Sequence, residues 1–146
     1  MKRVLVVEDN ANNMRLLLKL LGGSGYETIK AETGEEGVRL AIEEMPDHIL
    51  MDIKLPGIDG VEATGRIRAS VGGSKVVIIA LTSYAMAGDR EKFLAEGFNG
   101  YIEKPIDPYT IVKEIEEYAR NREYPHGGLP KRGRTTRLEN AGKQWL

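Results

Sequence analysis

A chain of 146 residues fits one compact domain, since single cores occupy roughly 100 to 200 residues. An apolar fraction of 41% against 29% charged residues is that of a globular protein, and the longest apolar run, VVIIAL at 76–81, is too short to span a bilayer. The zero cysteine count excludes disulfides and thiolate metal sites and fits a cytoplasmic location, and the net charge of −1 conceals an uneven distribution. Residues 121–146 hold Arg122, Lys131, Arg132, Arg134, Arg137 and Lys143 against Glu123 and Glu139, a charge of +4, which leaves −5 for residues 1–120. The opening MKRVLVVEDN has only four consecutive apolar residues before an acidic pair, so it reads as the start of a fold and not as a signal peptide.

Along the chain, apolar runs of strand length alternate with segments of helical period, the pattern of a parallel sheet wrapped by helices. Val4 to Val7 form the first strand, followed by a helix with Met14, Leu17, Leu18 and Leu21 on one face and glycines 22, 23 and 25 at its close. Tyr26 to Lys30 form the second strand. Thr33 and Glu36 make a capping box for a helix expected to bury Val38, Ala41, Ile42 and Met45 before Pro46 ends it. The third strand, His48 to Met51, runs into Asp52. The segment KLPGIDG, with Asp59 and Gly60 as turn, leads to a helix around Val61 to Ala69. The fourth strand spans Val76 to Leu81, and a polar loop then leads to a helix with Phe93 and Leu94. Gly100 to Glu103 form the fifth strand, and Asp107 and Pro108 are placed to cap and start a last helix that buries Ile111, Val112, Ile115, Tyr118 and Ala119. Met14, Met51 and Met86 are expected to fill core gaps. His48 and His126 lack partners at metal-ligand spacing and are given no role. Residues 1–120 are thus expected to form the domain and residues 121–146 a flexible basic tail, which carries no nucleic-acid reader motif.

Polar residues stand where the strands end: Glu8 and Asp9 after the first, Asp52 after the third, Thr82 after the fourth and Lys104 after the fifth. In a parallel sheet these ends share one edge, outside which open α/β sheets bind ligands. Three carboxylates gathered there repel one another unless cations compensate. Hard oxygen donors favour Mg2+, with Mn2+ as a substitute, and Lys104 supplies a second positive charge. A carboxylate between a metal ion and an ammonium group is well placed to attack phosphorus, which gives an acyl phosphate. Taken singly, Glu8 and Asp9 read as helix N-terminal acids, Thr82 as a cap, Lys104 as a surface lysine and Tyr101 as half-buried packing. Their company decides the reading.

The segments VEDN at 7–10, MDIKLPGIDG at 51–60, LTSYA at 81–85 and YIEKP at 101–105, spaced 30 residues from Asp52 to Thr82 and 22 from Thr82 to Lys104, resemble response-regulator receiver domains of two-component signalling across residues 3–120. The resemblance implies a doubly wound (βα)5 flavodoxin-like parallel sheet with strand order 2-1-3-4-5. It makes Asp52 the phospho-acceptor, with Asp9 and Asp52 as direct Mg2+ ligands, Glu8 on a metal-bound water and the Lys54 carbonyl as a further ligand. By the same resemblance Thr82 bonds a phosphoryl oxygen and Lys104 pairs with it ahead of a cis peptide to Pro105. Tyr101 is the aromatic switch, and Lys54 and Tyr84 tune the phosphoryl lifetime, with Tyr84 as a shield that lengthens it.

The implied function is a phosphorylation-dependent switch, not an enzyme with external turnover. It takes its phosphoryl group from a histidine kinase or histidine phosphotransfer protein and alters the surface of the fourth helix, fifth strand and fifth helix for a separate protein target. A homodimer is compatible with this reading; nucleic acid and membrane are not expected partners. The segment EDNANN resembles receivers of hybrid kinases and stand-alone phosphorelay proteins, which keeps open a receiver portion of a hybrid histidine kinase. An aspartate-nucleophile Mg2+ phosphatase of the haloacid-dehalogenase type would need a second acid two residues after the nucleophile, where Lys54 stands. A flavodoxin-like cofactor carrier would need a phosphate-binding loop after the first strand.

Overall fold

The computed structural model describes residues 2–121; the expectations for the basic tail beyond them and for His126 lie outside the described residues. Five strands alternate with five helices: β1 (Arg3–Val7), α1 (Ala11–Gly23), β2 (Glu27–Ala31), α2 (Gly34–Glu44), β3 (His48–Asp52), α3 (Gly60–Ala69), β4 (Val77–Thr82), α4 (Asp89–Ala95), β5 (Gly100–Glu103) and α5 (Ile111–Asn121). The strands form one parallel sheet in the order β2-β1-β3-β4-β5. β2 and β4 each begin one residue later than the sequence pattern suggests.

The continuous apolar runs fall on the central strands because both faces of a parallel sheet are covered. Every residue of β3 and β4 is buried, whereas the edge strand β2 is mostly not. Alternate residues divide between two cores. Val4, Val6, Leu50, Val77, Ile79 and Leu81 pack with Leu17 and Leu21 of α1 and Ile111 and Ile115 of α5. Leu5, Val7, Ile49, Met51, Ile78 and Ala80 face Ala41 of α2, Ala63 and Ile67 of α3, and Phe93 of α4.

Half of the expected capping box of α2 forms: Thr33 Oγ1 accepts the Glu36 N–H at 3.1 Å, while Glu36 Oε1 accepts the Glu32 N–H at 3.0 Å in place of that of Thr33, and the buried face differs from expectation. Gly34, Gly37 and Ala41 are buried, while Ile42 and Met45 are 48% and 71% exposed. The helix lies so near β1 that a Cβ at Gly37 would come within 2.8 Å of Val7 Cγ2, and a large side chain on that face would push it away. Met45 leaves the helix as a left-handed cap with φ 49°.

Met86 is likewise no core filler, being 60% exposed in the loop before α4, whereas Met14 and Met51 are buried as expected. Regular helix in α5 starts three residues after Pro108. The Asp107 carboxylate accepts the Tyr109 N–H at 2.9 Å and closes a local turn, and only the Ile111 N–H, bonded to the Asp107 carbonyl at 3.0 Å, begins the helix.

One side chain that carried no sequence signal ties several elements together. Arg68, at the end of α3, donates to the carbonyls of Gly97 at 2.8 Å, Gly73 at 2.9 Å and Val76 at 2.6 Å, and to Asn99 Oδ1 at 2.8 Å. Asn99 Oδ1 also accepts the Ile78 N–H at 2.8 Å, so the start of β4 and the turn after α4 share one anchor. Burial lowers the Arg68 pKa to about 10, which still leaves a cation at neutral pH. Replacing Arg68 with Met strands these acceptors, and a loss of about 2–4 kcal/mol in unfolding free energy is expected in a urea titration.

Candidate functional site

The strand-end residues meet at the carboxyl edge of the sheet. Glu8 follows β1, and its N–H bonds the Ala31 carbonyl at 3.0 Å, which extends the β1 to β2 pairing by one residue. Its side chain turns inward and is only 1% exposed, with Oε2 accepting the Asn10 N–H at 3.0 Å. Asn10 in turn caps α1 by accepting the Asn13 N–H at 2.9 Å. Asp9 is exposed, and Asp52, the last residue of β3, is 5% exposed. Carboxylate oxygens of Glu8, Asp9 and Asp52 lie within 4.8 Å of one another.

Lys104 answers this charge. Its Nζ lies 3.0 Å from Glu8 Oε1 and 3.0 Å from Asp52 Oδ2. Its N–H bonds the Thr82 carbonyl at 2.7 Å, so β4 holds the residue and two carboxylates hold its head. Burial by itself lowers the Lys104 pKa, but the bonds and charges of Asp52 and Glu8 outweigh it and raise the pKa above the ordinary lysine value. Burial also raises the Glu8 carboxyl above its ordinary range. The peptide from Lys104 to Pro105 is cis, as expected.

The donor set is wholly oxygen, clustered and partly buried, and it suits a small hard cation. Asp52 Oδ1 accepts the Lys54 N–H at 3.3 Å, which folds the following loop back over the carboxylate, and Gly60 N–H bonds the Ile53 carbonyl at 2.8 Å to close that loop.

Thr82 is buried beside this cluster, with its hydroxyl 3.2 Å from both the N–H and the carbonyl oxygen of Tyr84. It is the Tyr84 backbone that meets Thr82; the ring is 74% exposed. The half-buried Tyr101 ring packs on Phe93 of α4 with centroids 5.4 Å apart, and its carbonyl accepts the Tyr118 hydroxyl of α5 at 2.9 Å. β5 therefore stands between α4 and α5 through one residue.

A family model described as the response regulator receiver domain matches residues 4–116. The chain belongs to that family. This receiver domain is 42% identical over 117 residues to the polar-differentiation response regulator DivK of Brucella ovis, covering 80% of the chain and 95% of that protein. Its fold matches the receiver domain of the sensor histidine kinase PA1611 from Pseudomonas aeruginosa PAO1 with TM-score 0.74 and 38% identity, over 82% of this chain and 98% of that one. In the PA1611 receiver a magnesium ion is coordinated in the active site cleft. The chemotaxis response regulator CheY4 of Vibrio cholerae matches with TM-score 0.77 and 26% identity, over 81% and 98% of the two chains. Among the described residues no helix is long and apolar enough to cross a membrane.

Of the candidate site residues, Glu8, Asp9, Asp52, Lys54, Thr82 and Lys104 lie at or just beyond the strand ends of this edge; the Tyr84 ring stands in solvent, and Tyr101, within β5, packs on Phe93. Two supporting carboxylates escaped notice. Glu103 Oε2 accepts the Ala85 N–H at 3.4 Å and holds the loop after Thr82 to β5; Glu35 reaches the loop after Asp52. Both act on backbone N–H groups of distant loops, for which the sequence offers no spacing rule.

Because burial raises the folded-state pKa of Glu8 above the unfolded value, its ionised form opposes folding, and this cost disappears as pH falls toward 4.5. Without divalent cations, Glu8→Gln is therefore expected to be more stable than the parent at pH 8. The difference should shrink as pH falls toward 4.5 in parallel denaturant titrations, and a difference independent of pH would contradict this loading of Glu8.

Proposed function

We propose that this receiver domain is a phosphorylation-dependent switch that accepts a phosphoryl group on Asp52. The observation that carries the reading is the position of Asp52, with Oδ2 3.0 Å from Lys104 Nζ and its carboxylate grouped with those of Glu8 and Asp9. Asp9 and Asp52 would hold Mg2+, with Mn2+ as a substitute, together with the Lys54 carbonyl, and Glu8 would act through a metal-bound water. When bound, the ion neutralises phosphoryl oxygens and draws the carboxylates together.

A carboxylate oxygen of Asp52 attacks phosphorus in line as the bond from phosphorus to the donor nitrogen breaks. The donor is a phospho-histidine of a histidine kinase or phosphotransfer protein, and its imidazole leaves with the bond's electron pair and takes a proton. Lys104 leaves its contact with Asp52 to pair with the new phosphoryl group and keeps Glu8 as its second partner. Thr82 exchanges its Tyr84 backbone bonds for a phosphoryl oxygen. That movement opens room behind Thr82 into which Tyr101 turns from its place against Phe93, altering the face formed by α4, β5 and α5 for a separate protein target. Lys54 and Tyr84, each two residues beyond a reacting side chain, set how readily water reaches the phospho-aspartate. With its ring in solvent, Tyr84 would have to fold over the site to lengthen the phosphoryl lifetime.

No external product leaves this cycle apart from phosphate released on hydrolysis of the acyl phosphate. The receiver of a sensor histidine kinase and a response regulator both stand among the relatives, and the same chemistry serves a separate regulator or a receiver joined to a kinase.

Incubation with acetyl phosphate and Mg2+ should add one phosphoryl-sized mass to the intact protein. Chelation by EDTA or the substitution Asp52→Asn should abolish the gain. Thr82→Ala should retain a phosphorylated product but lose the phosphorylation-dependent change in Tyr101 environment, followed by NMR of its ring. Mass gain in the Asp52→Asn protein would place the acceptor elsewhere.

A further inference from the structure

β3 ends at Asp52, and its last bond to β4 is made by the Ile53 N–H on the Leu81 carbonyl at 3.1 Å, so Lys54 lies just beyond the sheet ladder in the loop that leads to α3. Four hydrogen bonds restrain the loop among the described residues. The Ile53 N–H bonds the Leu81 carbonyl of β4 at 3.1 Å, the Lys54 N–H bonds Asp52 Oδ1, and the Gly60 N–H bonds the Ile53 carbonyl. The fourth comes from a helix: Glu35, in the first turn of α2, accepts the Ile58 N–H on Oε2 at 3.2 Å.

The fit around that fourth contact is close. Gly57, with φ 76°, lets the carboxylate approach so nearly that a Cβ there would lie 2.6 Å from Glu35 Oε2. Gly34, one residue before Glu35, rests on the same loop, where a Cβ would come within 2.6 Å of the Ile58 carbonyl oxygen. The amino end of α2 is therefore fitted to the loop from Ile53 to Asp59, while α2 is itself pinned to β1 through Gly37. A path of contacts runs from the sheet through α2 to the segment that carries the Lys54 carbonyl.

We infer that Glu35 is a positioning residue for the metal site, holding the 53–59 loop through the Ile58 N–H so that the Lys54 carbonyl is presented beside Asp52. This rests on the reading that Asp52, Asp9 and the Lys54 carbonyl share a Mg2+ ion. Outer groups that orient a ligand contribute to metal affinity by removing the cost of ordering it at the moment of binding. Glu35 is exposed, so its contribution is that of one solvent-accessible hydrogen bond to an ordered backbone.

The test is a Mg2+ titration of the full chain, followed by amide NMR shifts at Lys54 and Asp52, with exchange of the Ile58 amide measured in the metal-free protein. Glu35→Ala should weaken Mg2+ binding about three- to tenfold and accelerate Ile58 exchange. Glu35→Gln keeps an oxygen acceptor at the same reach and should restore both. Glu32→Gln removes a charge three residues away, keeps the backbone N–H that bonds Glu36, and should leave Mg2+ affinity unchanged. Equal losses in Glu35→Gln and Glu35→Ala, or a matching loss in Glu32→Gln, would assign the effect to charge and overturn the inference, as would a Glu35→Ala protein that binds Mg2+ like the parent. If the parent takes up no Mg2+ at all, the metal reading of the preceding subsection falls as well, an outcome distinct from a loss confined to the variant.

Discussion

Like charge gathered at one edge of a parallel sheet is the constraint around which the rest of this molecule is arranged. Glu8, Asp9 and Asp52 bring carboxylate oxygens within 4.8 Å of one another, and Lys104 bridges two of them at 3.0 Å. In a partly buried setting such a cluster raises the cost of every unpaired charge. The same excess of negative charge makes the site receptive to a cation and, once a cation is present, to a phosphate. The cost is borne by a sheet whose central strands are buried on both faces, with two apolar cores to hold the edge in shape.

The parallel architecture was legible because its signal is physical and local. A strand covered on both faces must be apolar throughout, and β1, β3 and β4 announce themselves as short apolar runs that stop at a charged or hydroxyl residue. Helices α1 and α5 present a periodic apolar stripe to the first core and were equally plain. α2 misled because its contact with β1 is made by Gly37 and Ala41, residues whose value lies in what they lack. Periodicity weighs large side chains, so it assigned Ile42 and Met45 to a face that is in solvent. The start of α5 misled for a related reason: the pairing of Asp107 with Pro108 fits both a helix cap and a turn, and the hydrogen bond to the Tyr109 N–H selects the turn.

The residues of the candidate site were legible for another reason. Each closes a strand, and topology alone brings strand ends together, so a reader needs only the order of elements to place Glu8, Asp9, Asp52, Thr82 and Lys104 in one cleft. What topology does not disclose is support. Arg68, Glu35 and Glu103 bond backbone groups that lie from 5 to 29 residues away, and a backbone carbonyl or N–H looks the same at every position of a sequence. Such contacts emerge only when loops have coordinates.

The proposed switch asks for a small difference between two states, and the resting contacts meet that requirement. Thr82 is not left with an idle hydroxyl; it is bonded to the Tyr84 backbone, and moving it toward a phosphoryl oxygen exchanges neutral hydrogen bonds for a charge-assisted one. Lys104 would make the corresponding exchange at Asp52, with Glu8, now 3.0 Å from its Nζ, retained as its second partner. Tyr101 is half-buried and packed on Phe93, the contact that a change of rotamer would give up. At the far end of α4, the Arg68 bonds to Gly97 and Asn99 hold the chain to α3 and β4. The beginning of α4 is held as well: the Asp89 carboxylate accepts the Met86 N–H at 2.6 Å, and Glu103 accepts the Ala85 N–H at 3.4 Å. In the proposed switch a displacement of Thr82 would reach α4 through this loop, where the exposed Tyr84 and Met86 lie, and a change of a few contacts in the cleft would alter a surface that another protein can read.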